Sequence, residues 1–288
     1  MPQPNHEQAN TNFTEINGQE IARITLLDDL LTASIGGVLP EQSDLACFGR
    51  VLDIGCGAGG WLLTGARKYP GRSVSRGIDI SNRVIQQARA CATKEGLAQQ
   101  VDFQVMDALR PLNFADASFD LVNLRFGMSF VRTWEWIKLL VEMQRVTCTG
   151  GIIRLTEAEV LHSTSSAALT HLDQLFLRAY DRAWRLFEPT STGLTSHFAL
   201  LLRRIGCQQV QEITFPLVFR AGTEEGQRFV RATEILLKTA RSSLQKWGNE
   251  PSGNYDELAQ QVLKEIQQPD FITTWTLHTI WGTVVHSS

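Results

Sequence analysis

The first feature of this chain with chemical meaning is a run of glycines between a β-branched stretch and a helix-like one. In VLDIGCGAGGW, Gly55, Gly57 and Gly60 satisfy G-x-G-x-x-G, and Gly59 adds a further glycine. Glycine lets a backbone turn tightly and approach a ligand, and the amides that open the following helix suit a nucleotide-like group. The loop alone does not choose among such ligands. Asp53, two residues before the first glycine, does. It sets a carboxylate facing the space that a dinucleotide's pyrophosphate would fill, where like charges repel. A ligand carrying an ammonium and a sulfonium is attracted there instead.

Two more carboxylates follow at strand ends. Asp79 closes SVSRGIDI, where a carboxylate can accept from both ribose hydroxyls. Asp107 ends a third strand in VMDAL, where a carboxylate can accept from the adenine amine while the Ala108 amide serves a ring nitrogen. Aspartate is common in turns, so each alone says little. Three at successive strand ends describe a site for a nucleoside that carries positive charge.

The elements that must hold these residues alternate. Strands are expected at 50–55, 73–80, 101–107, 119–126 and 151–159, with helices through Lys68, to a C-cap at Gly96, and at 133–146. This calls for an α/β fold, a Rossmann-like doubly wound sheet of about seven strands. Residues 1–14 read as a disordered lead and 15–48 as a helical segment with Ile21, Ile24, Leu27, Leu31 and Ile35 at helical spacing; 49–160 form the core. A helical insertion at 161–192, resumed core at 193–219, a second insertion at 220–270 and a last strand within 271–288 complete the chain. The helices at 17–35, 166–187 and 224–267 are expected to cap the sheet's C-terminal edge and make an apolar acceptor pocket, because ligands of open α/β sheets bind there.

VLDIGCGAGGW, GIDIS, VMDAL, FDLVNLRFGMSFV and TGGIIRLTE together resemble the successive motifs of class I methyltransferases that use S-adenosylmethionine (SAM). Within that family the chain is similar to the small-molecule branch of ubiquinone, menaquinone and natural-product methyltransferases. The resemblance implies that Asp53, Gly55 and Gly57 cradle the methionine part, with Cys56 and Gly59 in the same loop. Asp79 would hold the ribose, Asp107 and Ala108 the adenine with Leu109 beside them, and Ile80 would pack on the adenine face. Arg125 and Phe126 would border the methionine end and the reacting methyl. TGG stands where the family usually reads Lys-Pro-Gly-Gly.

Methyl transfer from a sulfonium is an in-line displacement that positioning alone can drive. For a hydroxyl acceptor a general base helps, and the candidates are Glu157, His162 and His197, with Glu159, Asp173 and Tyr180 nearby. Arg178, Arg182 and Arg185 recur at helical spacing as a basic stripe. Lys plus Arg number 27 against 30 for Asp plus Glu, without a basic run, which disfavours a nucleic-acid partner. The five cysteines are scattered, with no metal-ligand spacing, and no apolar run is long enough to span a membrane. These features predict a cytoplasmic protein acting on a small, aromatic or lipid-like acceptor, with a homodimer left open. The competing readings are a SAM-binding protein without turnover and a nicotinamide-dependent oxidoreductase, which Asp53 opposes.

Overall fold

The structure, a computed structural model, describes residues 14, 16–42, 48–69, 75–249 and 252–286. Residues 1–13 of the expected lead and Cys47 lie outside the described residues, while Thr14 donates from Oγ1 to Glu20 at 2.7 Å.

The chain runs α1 (Gly18–Ser34), β1 (Val51–Ile54), α2 (Gly60–Lys68), β2 (Ser75–Asp79), α3 (Asn82–Lys94), β3 (Val101–Val105), β4 (Phe119–Arg125), α4 (Trp136–Val146) and β5 (Thr147–Ala158). It continues with β6 (Ser163–Thr164), α5 (Ala167–Arg182), α6 (Thr195–Arg204), β7 (Gln208–Arg220), α7 (Glu224–Thr239), α8 (Arg241–Gly248), α9 (Ser252–Glu265) and β8 (Ile272–Thr283). The sheet order is β3-β2-β1-β4-β5-β8, with β7 on the far side of β8 and two-residue β6 extending the β5 side. The first five strands are parallel, whereas β8 is antiparallel to both β5 and β7. This is the Rossmann-like α/β sheet expected, with β6 as an eighth strand too short to leave a sequence pattern.

Strand residues alternate between two cores. One face of β1 and β4 packs Val51 and Leu121 against Trp61 and Leu62 of α2 and Ile85 and Ala88 of α3. The other packs Leu52, Val122 and Ile153 against α4 and α6, where the Trp136 and Phe198 rings lie 5.0 Å apart.

Two helices differ from expectation for local reasons. The helix expected at 166–187 stops at Arg182, because Trp184 turns left-handed (φ +61°) and the Arg185 amide bonds back to the Tyr180 carbonyl, a Schellman-type ending. Arg185 is therefore off the helix and buried, and the basic stripe does not form. The helix expected at 224–247 breaks at Ala240 into α7 and α8. Here the Tyr255 hydroxyl donates to the Leu237 carbonyl, and Thr239 donates to buried Glu20 at 2.8 Å. No described helix is long and apolar enough to cross a membrane.

Candidate active site

Strand order reverses between β1 and β4, and ligands of open α/β sheets sit at such a switch point. A cavity of about 310 Å³ opens there, walled by the β1–α2 loop, the ends of β2, β4 and β5, and side chains of α1, α5 and α7. Gly55, Gly57 and Gly59 all take left-handed φ values, of +65°, +54° and +81°. At Gly59 a Cβ would also stand 2.5 Å from the Phe103 ring, so only glycine fits. Gly55, Cys56 and Gly57 line the cavity, whereas Gly59 lies behind it and caps α2.

Asp53 lines the cavity but is almost wholly buried, and it ends a polar row across the sheet. Its register partner Asn123 donates from Nδ2 to Asp53 Oδ1 at 2.7 Å, and Arg154, the next partner on β5, donates from Nη1 to Asn123 Oδ1 at 2.9 Å. Arg154 is closed by Glu41, Nε to Oε1 at 2.6 Å, with both side chains buried. Burial pushes the Asp53 carboxyl up to about 7, with neighbouring Asp79 adding to the rise and Asn123 and Arg154 opposing it.

Asp79, at the end of β2, accepts from the Ser81 amide at 2.8 Å and the Gly57 amide at 3.3 Å, and burial raises its pKa. Ile80 beside it is 47% exposed, an apolar surface left open next to the cavity. Asp107, Ala108 and Leu109 also lie outside the cavity lining. Asp107 does not end β3, which stops at Val105; two residues on, it accepts from the Leu109 amide at 2.9 Å in an Asx turn and faces Arg110 at 3.7 Å.

Helix α1 supplies charges that strand-end reasoning missed. Arg23 forks onto Glu20, Nη2 to Oε1 at 2.6 Å and Nε to Oε2 at 2.8 Å, and with Thr14 and Thr239 this holds the Glu20 carboxyl below its usual range despite burial. Asp28 pairs with Arg125, which also donates to Thr32 Oγ1 at 3.2 Å. Phe126 takes a left-handed conformation (φ +58°) as β4 turns into a one-turn helix at Gly127–Ser129. That turn aims the Met128 amide at Glu157.

The opposite end is built from rings and two proton-accepting groups. Glu157, at the end of β5, accepts among the described residues only from the Met128 amide at 2.9 Å and its neighbour Ala158 at 3.1 Å, and burial pushes it up to about 7. His162, Asp173, Glu159, Tyr180, Phe176, Phe229 and Trp275 share the cavity wall. His197 does not: on α6 it stacks against Phe187 at 4.7 Å between Ser196 and Glu188, away from the cavity, which removes it from the base candidates. Of the expected capping helices, α1, α5 and α7 line the cavity, and α8 and α9 do not.

Fold and site together define a Rossmann-like domain with its ligand cavity at the sheet's C-terminal edge. Residues 51–151 match the family described as a methyltransferase domain, so the resemblance drawn from the strand-end motifs is borne out over that stretch. Among similar proteins, ajmaline N-methyltransferase of Rauvolfia serpentina is 32% identical over 57% of this chain and 53% of its own. The aklanonic acid methyltransferase DauC of Streptomyces sp. (strain C5) is 43% identical over 42% of this chain and 54% of its own. The chain thus spans about half the length of these curated relatives. A solved structure of Haemonchus contortus phosphoethanolamine N-methyltransferase 2, in complex with phosphomonomethylethanolamine and S-adenosylhomocysteine, shares the fold. Its TM-score is 0.55 at 17% identity, covering 97% of this chain and 60% of that one.

Proposed function

We propose that this chain is a SAM-dependent methyltransferase whose acceptor is an uncharged small molecule. The observation that carries the reading is the charge pattern of the cavity. Asp53 and Asp79 flank the left-handed glycine loop without a cation in direct contact, while both arginines on the cavity wall are paired, Arg23 with Glu20 and Arg125 with Asp28. A cationic ligand fits this lining and a pyrophosphate does not. Asp53, Gly55, Cys56 and Gly57 hold the methionine end, with Gly59 shaping the loop from behind. Asp79 holds the ribose, and Ile80, Asp107, Ala108 and Leu109 form the shelf for adenine. When bound, SAM supplies an electrophilic methyl group on a sulfonium.

The chain's own part is to bind, orient and dehydrate. Arg125 and Phe126 border the reacting end, with Arg125 held off by Asp28 and Thr32. Rings of α5 and α7 exclude water from the acceptor side, where positioning contributes most. With no unpaired cation among the described cavity residues, an anionic acceptor would be buried without a partner, at a high cost. The four described cysteines are free thiols, consistent with a reducing, cytoplasmic setting. The test is S-adenosylhomocysteine production from SAM with a panel of phenols, quinols and amines. Turnover with a neutral acceptor is expected; SAM binding with no turnover on any of them would favour a binding protein instead.

A further inference from the structure

The cavity wall holds one side chain fixed as a proton acceptor needs to be. His162 lies in the loop after β5, and Asp173 of α5 accepts from its backbone amide at 2.8 Å and meets Nδ1 at 2.9 and 3.1 Å. Among the described residues every hydrogen bond and ion pair of the Asp173 carboxylate goes to His162. In the neutral ring, an Nδ1–H turned to this carboxylate leaves Nε2 with its lone pair. Nε2 is buried and has no hydrogen-bond partner among the described residues. A structural clip would need only the Asp173 contacts; an unpartnered nitrogen at a ligand cavity is unfavourable unless a ligand satisfies it.

The surroundings say what kind of ligand. The imidazole lies 5.3 Å from the Trp275 ring at 30° and 5.7 Å from the Phe229 ring, nearly perpendicular. Trp275 is tethered by its indole N–H to the Glu159 carbonyl at 2.9 Å, and Phe229 is held by ring contacts with Phe219 and Phe271. Flat rings pack favourably against such an aromatic wall. An amine that is already unprotonated carries a lone pair and gains little from a base, and a carboxylate acceptor needs none. A hydroxyl becomes a strong nucleophile only when its proton leaves.

We propose that His162 is the general base of the methyl transfer, that Asp173 is the positioning residue that fixes its tautomer, and that the acceptor is a planar hydroxyl compound, a phenol or enol. The proposal rests on the methyltransferase reading and narrows it. The acceptor O–H bond breaks and its proton goes to Nε2. The oxygen lone pair forms the bond to the methyl carbon as that carbon's bond to sulfur breaks, the pair staying on sulfur. The imidazolium is balanced by Asp173; of the other carboxylates at this end, Glu159 is engaged by Ser191 and His278, and Glu157 by the Met128 and Ala158 amides.

The test uses umbelliferone, a planar phenol whose neutral and phenolate forms have separate excitation bands, with its methyl ether as control and S-adenosylhomocysteine bound to the full chain. The wild-type chain is expected to raise the phenolate fraction of bound probe above that of free probe at the same pH. His162→Gln, which can hydrogen-bond but not take up a proton, should bind probe in the neutral form, and Asp173→Asn should lie between. In turnover with SAM, His162→Gln should lose about 100-fold in kcat, the lower range for a general base, with KM for SAM unchanged. No probe binding to the wild type, or equal phenolate fractions in wild type and His162→Gln, overturns the proposal. Calorimetric binding of S-adenosylhomocysteine to each variant reports folding and the cofactor site separately. Its failure in the wild type would count against the methyltransferase reading itself.

Discussion

The two ends of the cavity treat polar groups in opposite ways. At the glycine-loop end, carboxylates are buried among backbone amides and a relay of side chains: Asp53 reaches the charge of Arg154 only through Asn123, and Asp79 is held by the amides of Gly57 and Ser81. At the α5–α7 end, rings surround the polar groups: Glu157 is held by the Met128 and Ala158 amides, and His162 Nε2 has no hydrogen-bond partner among the described residues. The first end is electrostatically unfinished in a way a cation completes. The second is unfinished in a way a proton donor completes. On the proposed reading, one cavity can therefore set a positive methyl donor beside the loop-end carboxylates and seat a neutral acceptor where no unpaired cation is among the described lining residues.

The comparison breaks most severely if the relay behind Asp53 is cut. Arg154→Leu leaves Glu41 as an unpaired buried carboxylate and should cost about 3–5 kcal/mol of stability, the range for breaking one side of a buried ion pair. Chemical denaturation measures it, and a loss near zero would mean the row is ornamental. A smaller effect is confined to one end: Asp79→Ala should weaken SAM binding by about 1–3 kcal/mol, as expected for hydrogen bonds to a charged acceptor. Umbelliferone binding at the other end should be unmoved; weakening of both would show that the ends are one site energetically.

The pH dependence follows from the same carboxyls. Asp53 and Glu157 stand at about 7 in the folded chain against ordinary values of 3.8 and 4.5. The folded state therefore binds more protons than the unfolded one between those limits, and the ligand-free protein loses stability as pH rises toward 7. SAM binding runs the other way: a cation prefers the ionised Asp53, so affinity should climb through about pH 7, with proton release on binding read by calorimetry in buffers of different ionisation enthalpy. A flat affinity would place the sulfonium away from Asp53. Least of all, Thr32→Val removes one hydrogen bond from Arg125 and should cost about 0.5–1.5 kcal/mol in thermal unfolding, since the Asp28 pair remains.

Much of the glycine-loop end was legible because it depends on short spacings: Asp53, Gly55 and Gly57 sit on one strand-loop-helix unit, and Asp79 ends the adjacent strand. Asp107 was misplaced by two residues, since strand propensity runs on into the Asx turn it makes. Asn123 and Arg154 had a readable signal, a polar residue inside an otherwise apolar buried strand, but their pairing depends on register between β4 and β5. Glu20, Arg23 and Asp28 gave no signal, because an acidic or basic residue on an amphipathic helix usually faces water. Only the docking of α1 over the sheet edge turns these three inward. His162 and Asp173 were individually visible as candidates. That they form a pair follows from the packing of α5 beside the loop after β5, which no local pattern records.

The claim that an anionic loop end selects a cationic methyl donor is tested most directly by titrating the purified chain with SAM and with NAD in a calorimeter at pH 7.5. The account predicts saturable binding of SAM and none of NAD. Equal affinity for the two would contradict it, because Asp53 would then not discriminate a sulfonium from a pyrophosphate.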